Sequence, residues 1–242
     1  CMTCHSISNR NLGNSFNGEI EFDTSRVAYG PYPFPFEGPM TSFVGVKPLY
    51  SFHVFDSGMC ADCHTLITES IDSFGNFTGQ KFIEQATYHE WLNSSYAVNQ
   101  VTCQECHMEQ VLEPIVVSSN INGLEPRSFF RKHGFAGANV QMLTAIRNNK
   151  EFLNITIPDS LFDESIDRSK RNVQEYSVKM AVEQVAVIND KLTIEFSLTN
   201  KTGHKFPTGY PIRRAYLEFI VTSTNGDTLF HSGRRNGNRL SL

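Results

Sequence analysis

Every cysteine of this chain stands in the same five-residue pattern. Two cysteines separated by two residues are followed at once by histidine, and the pattern occurs three times, as CMTCH, CADCH and CQECH. The three copies consist of Cys1, Cys4 and His5; Cys60, Cys63 and His64; and Cys103, Cys106 and His107. None of the six cysteines is left over. The repetition indicates three equivalent binding sites rather than a set of unrelated thiols.

Cys-x-x-Cys-His is the attachment signature of c-type haem. Two thiols at this spacing reach the two vinyl groups of one porphyrin, and the following imidazole binds the iron. Disulfides between residues three apart are awkward in geometry and leave the histidines unexplained. Zinc knuckles do not require the trailing histidine, and thioredoxin-like pairs occur beside a βαβ pattern that is absent here. The sequence therefore predicts three haem c groups, with iron ligands His5, His64 and His107.

A second axial ligand is needed for each iron if all three haems are bis-histidine. Five of the eight histidines remain: His53, His89, His133, His204 and His231. We choose His53, His133 and His204, because the last two stand among small and turn-forming residues in RKHGFAGAN and TGHKFPTGYP. His89 is held in reserve as a core histidine, His231 is expected to have an ordinary role, and Met40 and Met142 are the remaining alternatives.

Composition limits the partners and the compartment. The chain has 242 residues with 21 basic and 25 acidic side chains, and the net charge of -4 argues against a nucleic-acid binder. The sequence contains no run of 18 or more apolar residues, the length that would predict a transmembrane segment. Bacteria attach haem c outside the cytoplasmic membrane, so we expect a periplasmic or extracellular protein. Both ends look trimmed, because the chain begins inside a motif and ends in a strand pattern.

The predicted fold class is a haem-packed N-terminal domain, irregular and α-helical, followed by a β-sandwich-like, Ig-like unit. We place the trihaem domain at 1–157, a polar linker at 158–172 and an incomplete β unit at 173–242. Residues 80–98 and 141–150 show helical spacing. Strand patterns cover 174–188, 191–199, 214–223 and 227–231. The Pro- and aromatic-rich stretch 29–40 is either a surface loop or an arm laid over a haem face.

Four segments carry a family resemblance: SGMCADCHT, TYHEWLNSSYAVNQVTCQECHM, HGFAGAN and TGHKFPTGYPIRRAYLEF. With them the chain resembles bacterial multihaem cytochromes c related to hydroxylamine oxidoreductase. The resemblance implies that His133 and His204 are haem ligands, and it lowers the case for His89. Hydroxylamine oxidoreductases carry more haems than this chain has motifs, and ammonia-forming nitrite reductases have lysine in place of histidine in one motif, whereas all three motifs here end in histidine. No catalytic marker of either enzyme is visible.

These features favour an electron-transfer protein, either a carrier or a conduit, over an enzyme. The alternative is the electron-handling part of an oxidoreductase that acts on small nitrogen or sulfur compounds, and this would need an iron with an open position. Redox proteins or copies of the chain itself are the expected partners, and an extracellular filament is compatible with the β unit. The first haem is expected to have an exposed edge, or to be covered by another chain that could even supply its distal ligand.

Overall fold

The computed structural model describes residues 2–118, 120–236 and 239–241. Helices and small sheets alternate along the chain, and each sheet in these ranges has two strands. No helix in the described ranges is long and apolar enough to cross a membrane.

The N-terminal part is built around short helices that end at the motif histidines. Its first elements are helix α1 (Met2–His5), strand β1 (Val27–Gly30), a π-helical turn (Met40–Val44), strand β2 (Lys47–Tyr50), a 3-10 turn (Phe52–Phe55) and helix α2 (Gly58–His64). Strands β1 and β2 pair in parallel, with Val27 opposite Lys47. This pairing brings the segment after the first motif next to the segment that leads into the second.

A hairpin and three short helices connect the second motif to the third. They are β3 (Thr65–Ile71), β4 (Phe77–Ala86), α3 (Thr87–Leu92), α4 (Ser95–Val98) and α5 (Cys103–His107). The helix predicted over 80–98 is therefore wrong in its first half, because residues up to Ala86 pair with β3 instead. The Asp72 carboxylate caps the intervening turn by accepting the backbone N–H groups of Phe74 and Asn76. Such side-chain capping stabilises the turn that starts the second strand.

Two helices follow the third motif. They are α6 (Val140–Asn148), which confirms the predicted helix at 141–150, and α7 (Asp159–Arg171). The stretch expected to be a linker is thus a helix, and its buried residues Phe162 and Ile166 lie one turn apart on one face. Three ion pairs connect α6 and the residue Lys150 after it to α7: Arg147 pairs with Asp163 at 2.7 Å and with Asp159 at 3.7 Å, and Lys150 pairs with Asp159.

The C-terminal part consists of hairpins. A π-helical turn (Asn172–Ser177) leads into β5 (Val178–Ile188) and β6 (Lys191–Asn200), followed by β7 (Phe219–Thr222), β8 (Thr228–Ser232), β9 (Arg234–Asn236) and β10 (Arg239–Ser241). The pairs β5–β6, β7–β8 and β9–β10 are antiparallel. Four predicted strands are present, but those predicted over 174–188 and 214–223 begin later, at Val178 and Phe219. The hairpins remain separate two-stranded sheets in the described residues, and the β-sandwich stays a prediction.

An apolar protein core is nearly absent. The buried apolar residues in the described part of the chain are Ile7, Val27, Ala61, Phe162 and Ile166. The accessible surface is 17744 Å², whereas a compact protein of 27.3 kDa exposes about 11,000 Å². Many apolar side chains that a globular protein would bury are therefore exposed.

Candidate haem centres

The second and third motifs lie in α2 and α5, and the described part of the first motif, Met2–His5, forms α1. Cys1 lies outside the described residues. The five described cysteines are not in disulfides, and the thiols of Cys4, Cys63 and Cys106 are exposed. Cysteines three residues apart on a helix share a face, which is the arrangement that attachment to one flat ring needs.

Helices α2 and α5 are bonded directly to each other. The Cys103 N–H donates to Ser57 Oγ at 3.0 Å, and Gln104 Nε2 donates to the carbonyls of Val54 and Asp56 at 3.2 and 2.8 Å. The thiols of Cys60 and Cys103 also share a hydrogen bond, which lowers the pKa of Cys103 to about 7 and raises the pKa of Cys60. The second and third attachment sites are therefore immediate neighbours.

His107 and His204 face each other as a nearly parallel pair. Their ring centroids are 6.3 Å apart and their planes differ by 17°. Because an imidazole nitrogen binds a first-row metal at about 2.0–2.1 Å and lies about 1.1 Å from its ring centre, two imidazoles on opposite sides of one ion have centroids about 6.3 Å apart. The spacing of this pair fits a single iron between the rings.

Backbone carbonyls fix which nitrogen of this pair is available. His107 Nδ1 donates to the Ala136 carbonyl at 2.8 Å, and His204 Nδ1 donates to the Lys205 carbonyl at 2.9 Å. The Nε2 lone pair of each ring is thereby left for a metal. Burial, with a smaller contribution from His204, lowers the pKa of His107, which favours the neutral form that binds iron.

The turn that carries His204 is anchored on the N-terminal part. Glu90 Oε2 of α3 accepts hydrogen bonds from the Lys205 N–H at 3.0 Å and the Thr208 hydroxyl at 2.6 Å. A Cβ atom at Gly203 would lie 3.2–3.3 Å from the rings of Tyr96 and Trp91, so this position leaves little room for a side chain. Helix α3 and the small residue before His204 thus set the position of the ring.

His5 and His133 form a second pair. Their ring centroids are 6.0 Å apart, with planes tilted by 43°. His5 Nδ1 donates to the Tyr29 carbonyl at 2.5 Å, which again leaves Nε2 for a metal. Both histidines line a cavity of about 200 Å³, here called the His5 cavity, whose wall is mostly apolar. The ring that faces His5 comes from the same chain.

The Pro- and aromatic-rich stretch 29–40 has a part that lines the His5 cavity and a part that is exposed. Its first part lies at the His5 cavity, because Pro31 and Tyr32 belong to the lining. Beyond that point the chain turns outward, and the Phe34 side chain is 90% exposed. The stretch is therefore a cavity wall at its start and a surface loop further on.

The remaining motif histidine, His64 of the second motif, lies near the His107–His204 pair. Partial burial, with smaller contributions from the imidazoles of His107 and His204, lowers the pKa of His64. The chosen partner His53 is buried, and both of its nitrogens are occupied: the Ser51 hydroxyl donates to Nδ1 at 2.6 Å, and Nε2 donates to the Ile7 carbonyl at 3.0 Å. In this arrangement both nitrogens make hydrogen bonds that iron ligation would replace, and His53 as a haem ligand stays a prediction.

His89, the reserve ligand, packs its ring against Phe16 with centroids 4.9 Å apart. Hydrogen bonds connect the Phe16 segment to the end of α2, because the Asn17 N–H donates to the Thr65 carbonyl at 3.0 Å. His231 bonds Glu218 within the β7–β8 region at 2.8 Å, as an ordinary polar contact. Within the described ranges, no three histidine, cysteine, aspartate or glutamate side chains group together as a protein-only metal site.

Several functional contacts carry no sequence signal. The carbonyls of Tyr29 and Ala136 orient motif histidines, although a carbonyl can come from any residue type. Tyr32 and Arg131 line the His5 cavity from separate loops. Only the position of Arg131, two residues before His133, could have marked it in the sequence. The paired rings, the free Nε2 atoms and the apolar cavity fit a haem at each of the two pairs.

The comparisons with known proteins agree with this geometry at the level of the fold. No family model and no curated protein sequence matches the chain. The structure is similar to a penta-heme cytochrome c552 from Thermochromatium tepidum, with a TM-score of 0.52 and 17% sequence identity over 96% of the chain. The chain spans about half the length of that cytochrome, 51%. The fold is therefore one that a multihaem cytochrome c adopts.

Proposed function

We propose that the chain transfers electrons through three covalently bound c-type haems. The observation that carries the proposal is the His107–His204 pair, whose 6.3 Å centroid spacing fits one iron and whose first member belongs to an attachment motif. The His5–His133 pair supports a second site of the same kind. When bound, the haems supply the redox chemistry, and the chain provides the thiols, the axial nitrogens and the apolar surroundings.

Two histidines on one iron leave no position for a substrate. Such sites change little on reduction and suit fast electron transfer at low potential. The hydrogen bonds between Cys103 and Ser57 and between Gln104 and Asp56 support short distances between the second and third haems, and so the passage of electrons between them. A carrier or conduit fits these sites better than an enzyme does.

The relation to the hydroxylamine oxidoreductase group belongs to this proposal and is supported by the four quoted segments. The proposal also includes a periplasmic or extracellular location and a C-terminal β-sandwich. Its partners would be redox proteins or further copies of the chain, which could form a filament. The location rests on where bacteria attach haem c. The hairpins β5–β6 and β7–β8 are the surfaces through which copies would assemble.

A second function has one observation in its favour. Both nitrogens of His53 are occupied, so the haem at His64 has an axial position that only His89 or a ligand from elsewhere would fill. An open position would let this haem bind a small nitrogen or sulfur compound. A high-spin signal from one third of the iron in the oxidised protein would establish this function.

Intact mass after acid denaturation tests the main proposal. Covalent haems survive denaturation, so the expected mass is that of the chain plus three haems. Substitution of Cys60 and Cys63 by alanine is the matched control, and it should remove one haem. A wild-type mass that corresponds to fewer haems contradicts the proposal for the missing motif.

A further inference from the structure

The His5 cavity contains a buried hydroxyl without a hydrogen-bond partner. Tyr32 Oη is enclosed by protein and bonds to no other group in the described part of the chain. Its residue lines the cavity together with His5 and His133. A buried hydroxyl normally finds a partner, and one without a partner in the protein alone indicates a group that binds there.

The other residues that line the cavity indicate the chemistry of the molecule that would bind beside Tyr32. Val54, Phe55, Phe129 and Phe130 give the cavity apolar walls, and Arg131 is its cationic member. An apolar wall with one hydroxyl donor and one guanidinium suits a flat apolar molecule that carries a carboxylate at its edge. A porphyrin with its propionate groups is such a molecule.

Tyr32 and Arg131 are held in place by neighbouring atoms. The Arg127 guanidinium lies over the Tyr32 ring at 5.5 Å and donates to the carbonyls of Pro33 and Phe34 at 3.3 and 3.1 Å. Arg131 Nη1 donates to the Met108 carbonyl at 3.1 Å. Burial raises the pKa of Tyr32 against the opposing effect of Arg127, so the hydroxyl keeps its proton at neutral pH.

From these contacts we propose that Tyr32 donates a hydrogen bond to a propionate carboxylate of the haem attached at the first motif, and that Arg131 supplies the neighbouring positive charge. The inference rests on the proposed function, because it requires a haem at His5. The hydroxyl and the guanidinium then partly neutralise the propionate, which otherwise stabilises the oxidised iron. Tyr32 acts as a positioning residue that also sets the potential of one haem.

Tyr32→Phe in the haem-loaded full chain tests the inference, because it keeps the ring and removes only the hydroxyl. Spectroelectrochemistry at fixed pH should show that one of the three potentials falls while the other two stay unchanged. Resonance Raman should show a shifted propionate bending band. Tyr176→Phe is the matched control, since the Tyr176 side chain is 66% exposed and lies on the π-helical turn after α7.

The possible outcomes separate the two proposals. Three attached haems with wild-type potentials and an unchanged propionate band in Tyr32→Phe would overturn the inference and leave the proposed function intact. The Gln104 Oε1 atom, which is also buried and without a partner in the described chain and whose residue lines the same cavity, would then be the alternative group to be satisfied with Tyr32. A wild-type mass without a haem at the first motif would instead contradict the proposed function.

Discussion

In both histidine pairs, a single backbone hydrogen bond decides which nitrogen can meet the iron. The Nδ1–H groups of His5 and His107 donate to the carbonyls of Tyr29 and Ala136, and the Nε2 lone pair of each ring is left for a metal. The flanking residues of His133 and His204 indicated their positions in advance, since small and turn-forming residues let the backbone approach a flat ring. The two carbonyls could not be predicted, because their positions depend on how distant segments pack.

Replacement of His204 by methionine should raise the potential of one haem. A thioether ligand favours reduced iron more than an imidazole does, and His204 faces only His107 among the motif histidines in ring contact within the described residues. Redox titration should therefore show one potential shifted upward and two unchanged. His231→Met is the control, because His231 bonds Glu218 and faces no motif histidine in that part of the chain. Unchanged potentials in His204→Met would remove His204 from the ligand set.

Unlike His204, His53 is expected to contribute to the stability of the fold and not to bind iron. His53→Leu leaves the Ile7 carbonyl and the Ser51 hydroxyl without their partner, and a buried polar group left unpaired costs about 1–3 kcal/mol. Denaturant titration should show a lower free energy of unfolding, while the low-spin absorption spectrum stays as in the wild type. The appearance of a high-spin haem in this variant would show that His53 is a ligand after all.

The same histidine predicts a pH dependence. Burial lowers the pKa of His53, against smaller raising effects of the Ile7 carbonyl and Asp56, so the folded state binds a proton less readily than the unfolded chain. Stability from this group is complete above its ordinary pKa of about 6.5 and is lost as the pH falls below that value. Denaturation midpoints between pH 8 and pH 5 should fall less steeply for His53→Leu than for the wild type. Equal slopes would show that another group controls the acid loss.

At the scale of elements, sequence patterns located most helices and strands but mistook two of them. The strong polarity of residues 158–172 predicts a linker, yet Phe162 and Ile166 form a narrow apolar stripe and the charges suit a helix. Asp159 stands in the first turn, and Arg168, Lys170 and Arg171 stand in the last, where each sign favours the helix dipole. The first half of 80–98 became a strand because pairing with β3 outweighed a helical spacing of apolar residues.

Helix α3 should control how firmly the His204 turn holds its ring. Glu90→Ala removes the acceptor for both Lys205 and Thr208, so we expect His204 to leave the iron more often. Carbon monoxide should then bind the reduced variant at one haem and faster than it binds the wild type. Glu183→Ala serves as the control, because Glu183 accepts a hydrogen bond from Ser197 within the β5–β6 hairpin. If both variants bind carbon monoxide at the wild-type rate, the anchor has no role in ligation.

At the scale of the whole molecule, the protein part exposes far more surface than its mass requires. The accessible area is 17744 Å², against about 11,000 Å² for a compact chain of 27.3 kDa. Exposed side chains include Phe82 on β4 and, in the sequence on either side of His133, Phe129 and Phe135. Sequence composition alone could not predict this small buried core, because 40% hydrophobic residues would be enough to form an ordinary one.

Haem attachment should therefore be required for folding. A chain in which all six cysteines are replaced by alanine cannot hold haem covalently, and it has too little buried apolar area to offset the entropy of ordering its backbone. We expect broad, poorly dispersed amide resonances, no cooperative thermal transition and rapid proteolysis from this variant. The variant with alanine only at Cys103 and Cys106 keeps two attachment sites and should lie between the two extremes, with α5 and the His204 turn cleaved first. Cooperative unfolding of the haem-free chain would show that its protein contacts suffice, and that the haems occupy the fold without forming its core.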